Sequence, residues 1–230
     1  MKISVIIPTY NEASQIEKTI SYLTSPHIVE IIVADGGSTD NTTEIATNAG
    51  AKVINCSQKG RAAQMNEAAT MATGPILYFL HADTIPPKSF STDILQAVAA
   101  GYNSGCFQLK FDYLHWFLKL NCWFTRFNLN CFRFGDQSLF VNKQVFLQCG
   151  RFNENCIVLE DQEIISRIRK HSKFLVIQKP VITSARKYLC NGIFKTQAVF
   201  YLIYALYWLG FSQRILVQVY CKLLRQDKVL

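Results

Sequence analysis

Carboxylates follow two of the apolar runs that predict strands. Asp35 closes the run 28–34, and Asp83 comes just after the run 75–80. In an open parallel sheet, side chains beyond the carboxyl ends of neighbouring strands converge on one ligand site. There Asp35 could accept a hydrogen bond from a base N–H or a sugar hydroxyl, and Asp83 could hold Mg²⁺ or Mn²⁺ together with substrate phosphates. The structural alternatives are an Asx turn at Asp35 and a helix cap at Asp83.

Two further sites place charges at predicted helix starts. Arg61 follows Gly60, where a guanidinium and free helix amides could face phosphates. Glu160 and Asp161 are adjacent at the start of an amphipathic helix, where the helix dipole favours the ionised carboxylate that a general base requires. A solvated Arg61 and simple capping by the two acids are the alternatives.

The elements that must position these residues alternate along the chain. Apolar runs predict strands over residues 3–7, 28–34, 51–55 and 75–80, and helical periodicity lies between them, with Ser14 and Glu17 spaced as a capping box. Strands that alternate with helices indicate βαβ units, so we expect an α/β fold with a mostly parallel, Rossmann-like sheet flanked by helices. After Ser104 the alternation loosens. Further strands are expected at 105–111, 137–141 and 176–184, and the chain is helix-like from Ile193 onward.

Composition limits the class of protein. The 230 residues are 50% hydrophobic and 17% charged, which suits one large folded domain and excludes disorder as the main state. The net charge of +8 favours anionic partners. From Arg186 onward seven basic residues face one acidic residue, which concentrates the charge near the C-terminus. The eight cysteines show no metal-ligand spacing, and together with an N-terminal apolar run too short for a signal peptide they predict buried, reduced thiols in a cytoplasmic protein.

Two nucleotide-binding fingerprints are absent. The first predicted strand is not followed by G-x-G-x-x-G, and the chain contains no G-x-x-x-x-G-K-[ST] loop. Hydride transfer on NAD and ATP hydrolysis are therefore disfavoured.

The order of five segments resembles glycosyltransferase family 2, the inverting enzymes of GT-A fold. The segments are Ile6–Glu12, Val33–Asp40, Gly60–Asn66, Leu80–Asp83 and Leu159–Glu163, and the resemblance runs from about residue 2 to residue 186. The strings Gly135-Asp136-Gln137 and Ser184-Ala185-Arg186 are also similar to a compact bacterial subfamily, the arsenosugar-biosynthesis-type glycosyltransferases.

The resemblance implies a hexosyltransferase-like, nucleotide-sugar-dependent enzyme and a role for each matching residue. Asp161 would deprotonate the acceptor hydroxyl with Glu160 beside it, and Asp83 would be the metal-binding aspartate of the family's D-x-D motif. The donor, a UDP- or GDP-sugar, would be bound by Pro8, Thr9, Tyr10, Glu12, Asp35, Gly36, Arg61, His81 and Arg186. The acceptor side would include Asp136, Gln137 and Trp116.

The sequence departs from the family pattern at the metal. His81 stands where the first aspartate of D-x-D is expected, so one carboxylate is missing. Dependence on Mn²⁺ or Mg²⁺ is still expected, but the sequence does not determine how tightly the site binds the metal. The implied chemistry is a single displacement at the anomeric carbon that inverts configuration, with a carboxylate base and a neutralised leaving diphosphate.

The aromatic stretch and the tail leave alternatives open. Ten aromatic residues between Phe107 and Phe134 are expected mainly in the core, with Trp116 and Trp123 as candidates for the acceptor side. We expect a GT-A domain over residues 1–186 and a helical, apolar and basic extension over 187–230. The uncharged run 196–213 fits either a helix on an anionic membrane surface or a two-helix hairpin packed on the domain or on a second subunit.

Three other functions fit the sequence less well. A nucleotidyltransferase would need a basic loop after the first strand, which residues 8–12 do not supply. A catalytically silent sugar-nucleotide-binding or membrane-associated scaffold would not need a base such as Asp161. No nucleic-acid partner is expected, because the excess charge lies beside an apolar helix and is not interleaved with a stacking platform. The acceptor, whether a small metabolite or a lipid-linked molecule, is left open by the sequence.

Overall fold

The computed structural model describes residues 1–133 and 135–225, so Phe134 and the last five residues of the predicted extension lie outside it. In these ranges eight strands form one sheet in the order β3-β2-β1-β4-β7-β6-β8-β5. The strands are β1 (Ile3–Thr9), β2 (Ile28–Asp35), β3 (Lys52–Asn55), β4 (Ile76–Phe79), β5 (Thr84–Ile85), β6 (Ser104–Phe111), β7 (Leu139–Asn142) and β8 (Phe174–Thr183).

Helices cover both faces of the sheet. They are α1 (Ile16–Tyr22), α2 (Thr42–Asn48), α3 (Arg61–Met71), α4 (Phe90–Ala99), α5 (Trp116–Phe124), α6 (Lys143–Gln148), α7 (Glu160–His171), α8 (Arg186–Asn191), α9 (Ile193–Trp208) and α10 (Gln213–Leu223). Every residue of β1 is buried because alternate side chains enter different cores. Val5 and Ile7 pack with α1, α2 and α4, whereas Ile6 packs with α3, α6 and α7.

The sheet is parallel in its first half and mixed in its second. β1 pairs in parallel with β2 and β4, and β2 with β3. β7 then runs antiparallel to both β4 and β6, β6 pairs in parallel with β8, and β5 closes the edge antiparallel to β8. Four of these seven pairings are parallel, which confirms the expected α/β fold, and the loss of alternation after Ser104 marks the change to the mixed half.

The capping box predicted at the first helix was wrong. α1 begins at Ile16 and receives no side-chain cap; the carbonyl of Glu12 instead accepts the amides of Gln15 and Ile16. A backbone turn therefore replaces the expected capping box. The strand expected from Gln137 starts at Leu139, because Gln137 belongs to a 3₁₀ turn and Ser138 is left-handed.

The C-terminal helices form a hairpin that packs on the rest of the chain. α9 and α10 are joined through Gly210, whose φ of +83° favours glycine, and they share a small core centred on Ile203 and Leu216. Phe200 on α9 packs against Tyr188 on α8, which itself joins the main core. The hairpin alternative therefore describes the arrangement seen here, and among the described residues no helix is long and apolar enough to cross a bilayer. The domain boundary at 186/187 stays a prediction.

All eight cysteines lie in the described ranges and carry free thiols. The expectation that they are buried holds for Cys106, Cys149 and Cys156, while Cys131, Cys190 and Cys221 are exposed.

Candidate active site

The carboxyl ends of β1, β2 and β4 meet at one edge of the sheet. The parallel register sets Thr9 beside Asp35, and it aligns Ile6 with Phe79 two residues before His81. The three polar loops that follow these strands are therefore neighbours, as the sequence predicted.

Asp35 organises the first two loops. It is 1% exposed, and its two carboxylate oxygens accept four hydrogen bonds. The donors are the hydroxyls of Thr9 at 3.0 Å and Ser38 at 2.5 Å and the backbone amides of Gly37 at 2.9 Å and Ser38 at 2.7 Å. A carboxylate has about four lone-pair sites, so this loop uses them all. The Asx turn weighed from the sequence is thus present, and contact of Asp35 with a nucleotide stays a prediction.

Gln64 explains why a glycine stands at position 36. Its amide Nε2 on α3 donates to the carbonyls of Thr9 at 2.8 Å and Ala34 at 2.7 Å, which ties the ends of β1 and β2 together. A Cβ on Gly36 would lie 3.0 Å from that same nitrogen. Sequence reasoning gave Gln64 no role, although it lies inside the segment 60–66 that carried the resemblance.

The loop after β1 is fixed by its neighbour. Asn11 is left-handed with φ 53°, and its Oδ1 accepts the backbone amide of Thr39 at 2.8 Å. The backbone amide of Glu12 donates to the hydroxyl of Thr42 at 2.8 Å. Tyr10 is half-buried, and the ammonium of Lys59 stands 5.3 Å from the centroid of its ring. The buried Pro8 and Thr9 together with Tyr10 and Glu12 thus line a preformed loop beside Asp35.

His81 pairs with a carboxylate that is distant in sequence. Its Nδ1 lies 3.0 Å from Oδ1 of Asp136, which stands on the 3₁₀ turn Gly135–Gln137. Burial and the charge of Arg61 would lower the pKa of His81, but the hydrogen bond and charge of Asp136 outweigh them and raise it. Burial would raise the pKa of Asp136, but the hydrogen bond and charge of His81 lower it. Each partner therefore favours the charged form of the other.

The turn that carries Asp136 is held by a buried arginine. Arg133 donates to Gln137 Oε1 at 2.8 Å and to the carbonyl of Thr125 at 3.0 Å, and it also contacts the carbonyl of Phe127. Gln137 is 1% exposed and uses its amide in this network, so the structure gives it a supporting position. Its role on the acceptor side stays a prediction.

The charges predicted at two helix starts form an ion pair. Arg61 is the first residue of α3, Glu160 is the first residue of α7, and Arg61 Nη1 lies 3.8 Å from Glu160 Oε1. The Glu160 side chain is 6% exposed and that of Arg61 is 57% exposed, so the guanidinium still faces solvent. This leaves Arg61 able to meet an anionic ligand at the same edge.

Burial makes the two acids of α7 weak acids. Burial first and the charge of Asp161 second raise the pKa of Glu160 to about 7, against opposing charges from Arg61 and His81. Burial also raises the pKa of Asp161, and the charges of His81 and Arg61 offset only part of that rise. A carboxylate with a raised pKa is a stronger base than a solvated one, which is the property required for removing a hydroxyl proton near neutral pH.

Asp83 is half-buried and also a weakened acid. Burial raises its pKa, and the negative charge of Asp136 raises it further. Two carboxylates that repel one another are an arrangement that a divalent cation relieves. Within residues 1–133 and 135–225 no cluster of three or more His, Cys, Asp or Glu side chains is placed to hold a metal unaided.

The structure brings most predicted site residues together but not all of them. Arg61, His81, Asp83, Glu160 and Asp161 act on one another electrostatically, and Asp136 joins them. Trp116 does not join this group; it is 66% exposed on α5, and its ring contacts are His115, Phe117 and Phe194. Arg186 is the half-buried first residue of α8.

Residues that the sequence analysis missed lie in the C-terminal helices. The charge of Lys187 on α8 lowers the pKa of Asp136, and its ammonium contacts the hydroxyl of Tyr220 on α10. Gln213, the first residue of α10, binds the backbone of Ile157 and Val158 just before Glu160. The sequence signal for Gln213 is a polar residue at the start of an apolar helix. That signal does not predict which residues it hydrogen-bonds.

The mixed eight-stranded sheet, its flanking helices and a cluster of acids at the ends of β1, β2 and β4 define a GT-A-type fold. The sequence model of glycosyl transferase family 2 matches residues 4–152, which is more than half of the chain. The chain therefore belongs to glycosyl transferase family 2, as the sequence resemblance predicted.

Curated relatives match less than half of the chain. The glycosyltransferase AglJ of Haloferax volcanii is 33% identical over 102 residues, which cover 44% of this chain and 34% of that protein. The glucosyl-3-phosphoglycerate synthase of Mycobacterium tuberculosis is 38% identical over 98 residues, covering 37% of this chain and 30% of the synthase. The chain thus spans about a third of the length of these curated relatives.

Solved structures share the fold over a longer stretch. The mannosyltransferase PcManGT of Pyrobaculum calidifontis, in complex with GDP-Man and Mn²⁺, has a TM-score of 0.71 at 16% identity and covers 100% of this chain and 66% of its own. Residues 1–349 of TarS from S. aureus, in complex with UDP, have a TM-score of 0.66 at 18% identity, covering 80% of this chain and 60% of that one.

Proposed function

We propose that this protein transfers a sugar from a nucleoside-diphosphate donor to an acceptor hydroxyl, with inversion at the anomeric carbon. The observation that carries the proposal is the cluster at the sheet edge, in which two buried weak acids on α7 face the cationic groups Arg61 and His81. Membership in glycosyl transferase family 2 supports the reaction class. The solved neighbours bound to UDP or GDP-Man support the donor class, a UDP- or GDP-sugar.

The donor would lie across the ends of β1 and β2. The preformed loop 8–12 and the Asp35 turn would receive the base and ribose, with Gly36 allowing close backbone approach. Arg61, with its exposed guanidinium, would meet the diphosphate, and His81 as an imidazolium would add a second positive charge. Arg186, at the start of α8, would approach from the C-terminal side. Preorganised cations stabilise the charge that develops on a leaving diphosphate.

Asp83 and Asp136 fit a divalent cation. Their mutual repulsion is relieved by a hard cation, and both offer the oxygen ligands that Mg²⁺ or Mn²⁺ prefers. The D-x-D motif lacks its first carboxylate, because His81 stands at that position. Asp136, from a distant part of the chain, would supply the second carboxylate in its place. When bound, such a cation would neutralise charge on the diphosphate.

Asp161 would act as the base. It is buried, its pKa is raised, and it would accept the proton of the acceptor hydroxyl while that oxygen attacks the anomeric carbon from the face opposite the nucleotide. Glu160 would hold Arg61 at the donor side through their ion pair, which connects the starts of α3 and α7. Single displacement forms one carbon–oxygen bond as the bond to the diphosphate breaks, so no covalent enzyme intermediate is needed.

The acceptor, a small metabolite or a lipid-linked molecule, stays open within this proposal. The arsenosugar-biosynthesis-type subfamily, the cytoplasmic location and a homodimer stay predictions from the sequence.

A ligand-binding panel tests the donor site. Melting temperatures would be measured with UDP-, GDP-, dTDP- and ADP-sugars, each with Mn²⁺, Mg²⁺ or a chelator, for the wild type, Asp83→Asn and the exposed control Glu17→Gln. A ligand that binds only the folded state raises the melting temperature. We expect one nucleotide class to give a metal-dependent rise that Asp83→Asn loses and Glu17→Gln keeps. No rise with any donor in the wild type would reject the donor site.

Transfer is tested separately from binding. The donor found by the panel would be incubated with candidate hydroxyl acceptors, release of nucleoside diphosphate would be followed, and the product's anomeric configuration would be read by proton NMR. Asp161→Asn should bind the donor and lose release. Wild-type binding without release from any acceptor would favour the catalytically silent module instead, and a retained configuration would reject the single displacement.

A further inference from the structure

Helices α5 and α9 come from different parts of the chain and lie side by side. The rings of Phe117 and Phe194 are 4.8 Å apart between centroids, and Trp116 packs on the same Phe194 at 6.1 Å. Further along both helices, the hydroxyl of Tyr201 on α9 donates to Asn121 Oδ1 on α5 at 2.6 Å. The two helices therefore present one joint surface.

This surface is aromatic and open to solvent. All three tryptophans of the chain belong to it, and each is at least 45% exposed. We call it the aromatic face and define it by its exposed large apolar residues: Leu114, Trp116, Leu120, Trp123, Phe127, Phe194, Tyr201, Leu202, Trp208, Leu209 and Phe211. Many exposed apolar side chains on one pair of packed helices are typical of an interaction site.

The two chain segments that carry the aromatic face have charges of one sign. Residues 113–135 and 187–225 contain no Asp or Glu. The exposed basic residues of these two segments are Lys119, Arg126, Lys195, Arg214, Lys222 and Arg225. Arg126 also stacks on the ring of Trp123 at 4.6 Å, so its guanidinium stays at the edge of the apolar surface.

We propose that the aromatic face binds the surface of an anionic lipid bilayer. Tryptophan and tyrosine rings favour the boundary between headgroups and acyl chains, and basic residues around them are attracted to anionic lipids. A second copy of this chain is a poorer occupant, because a two-fold interface would set the same basic residues against each other. The proposal goes beyond the transfer reaction and does not depend on it.

Vesicle flotation tests the proposal directly. The full chain would be mixed with vesicles of phosphatidylcholine alone or of equimolar phosphatidylcholine and phosphatidylglycerol, with brominated acyl chains in a parallel set. We expect flotation with the anionic vesicles only, weakened by salt, and quenching of tryptophan fluorescence by the brominated lipid, since every tryptophan lies on the aromatic face.

Two double variants and one control show which residues contribute to vesicle binding. Trp208→Ser with Leu209→Ser removes apolar contact, and Lys195→Glu with Arg214→Glu reverses charge; each should reduce partitioning about tenfold or more. The control, Val29→Ser with Met71→Ser, removes two other exposed apolar side chains, 47% and 44% exposed, on β2 and α3 and should bind as the wild type does. Melting temperatures of all variants show whether they fold.

Three outcomes would overturn the proposal. The first is no flotation of the folded wild type with anionic vesicles. The second is equal loss of binding in the control double variant. The third is a concentration-dependent dimer that the Trp208/Leu209 variant abolishes, without vesicle binding by the wild type, which would assign the face to a second copy.

Discussion

The side chain of Gln213 hydrogen-bonds to the backbone of Val158, two residues before Glu160. Its Oε1 accepts the amides of Ile157 at 3.2 Å and Val158 at 3.1 Å, and its Nε2 donates to the carbonyl of Val158 at 3.2 Å. The next residue, Leu159, is left-handed with φ 63°. A single amide of the C-terminal hairpin therefore fixes the turn from which the two acids of α7 project.

We expect Gln213→Ala to lower kcat more than it raises the donor KM. Loss of three hydrogen bonds loosens the turn before Glu160 and Asp161, and misplacement of a base by about 1 Å costs up to ~100-fold in rate. The free energy of unfolding should fall by about 1–2 kcal/mol. Steady-state kinetics and denaturant titration measure both effects.

Two companion variants separate positioning from general damage. Gln213→Glu keeps the acceptor for both amides and should recover part of kcat. Gln218→Ala, an exposed glutamine on the same helix, should leave kcat and stability unchanged. A fall in stability for Gln213→Ala with unaltered kcat would contradict the positioning role.

We expect Arg61→Gln to move the acid limb of the activity profile to higher pH. The positive charge of Arg61 lowers the pKa of both Glu160 and Asp161, so its removal raises them, and the ionised base appears only at higher pH. The pH dependence of kcat/KM reports this shift, because it reflects the free enzyme. Lys18→Gln, on the exposed side of α1, is the control for loss of one positive charge. An acid limb that stays in place would show that neither acid is the base.

We expect Glu160→Gln to stabilise the protein at pH 8 and to leave its stability nearly unchanged at pH 4. Burial and Asp161 raise the folded-state pKa of Glu160 from 4.5 to about 7, so the folded protein binds more protons than the unfolded chain between these values. Stability is therefore lost as pH rises through that range, and the neutral amide avoids the loss. The gain should be roughly 3 kcal/mol, because one pKa unit corresponds to about 1.4 kcal/mol and the opposing charge of Arg61 is already included in the raised pKa.

Melting curves across pH 4 to 8 measure this gain. A lower melting temperature for Glu160→Gln at pH 8 would mean that the ion pair with Arg61 outweighs burial. The variant should lose transfer activity to a smaller extent than Asp161→Asn, since Glu160 positions Arg61 and does not take the proton.

We expect Asp35→Ala to destabilise the fold as well as to abolish donor binding. Four donors lose their acceptor, and the cost should be about 2–3 kcal/mol, or roughly 5–10 °C in melting temperature for a chain of this length. Asp35→Asn keeps one carbonyl oxygen and should cost less. Asp40→Ala serves as comparison, because it removes an exposed carboxylate from the same loop. Differential scanning calorimetry checks the order, and equal costs for Asp35→Ala and Asp40→Ala would contradict it.

The chain's order of residues determined the parallel half of the sheet and its polar edge. Continuous β-branched runs such as 3–7 can be satisfied only where both faces are buried, and this requires helices on either side. The ends of β1, β2 and β4 then lie together for any sheet of this topology, so Asp35, His81 and Asp83 were predictable as neighbours. Arg61 and the acids of α7 were identified individually, because charge at a helix start has a local signal.

Tertiary structure decided the contacts that cross long sequence separations. Asp136 pairs with His81 across 55 residues only because β7 inserts antiparallel beside β4, and no local pattern specifies that insertion. The use of Gln64 to join two strand ends and of Gln213 to hold the turn before Glu160 likewise depends on which helix face meets which backbone. An amide side chain can satisfy many partners, so its type predicts a hydrogen bond and leaves the partner to be chosen by packing.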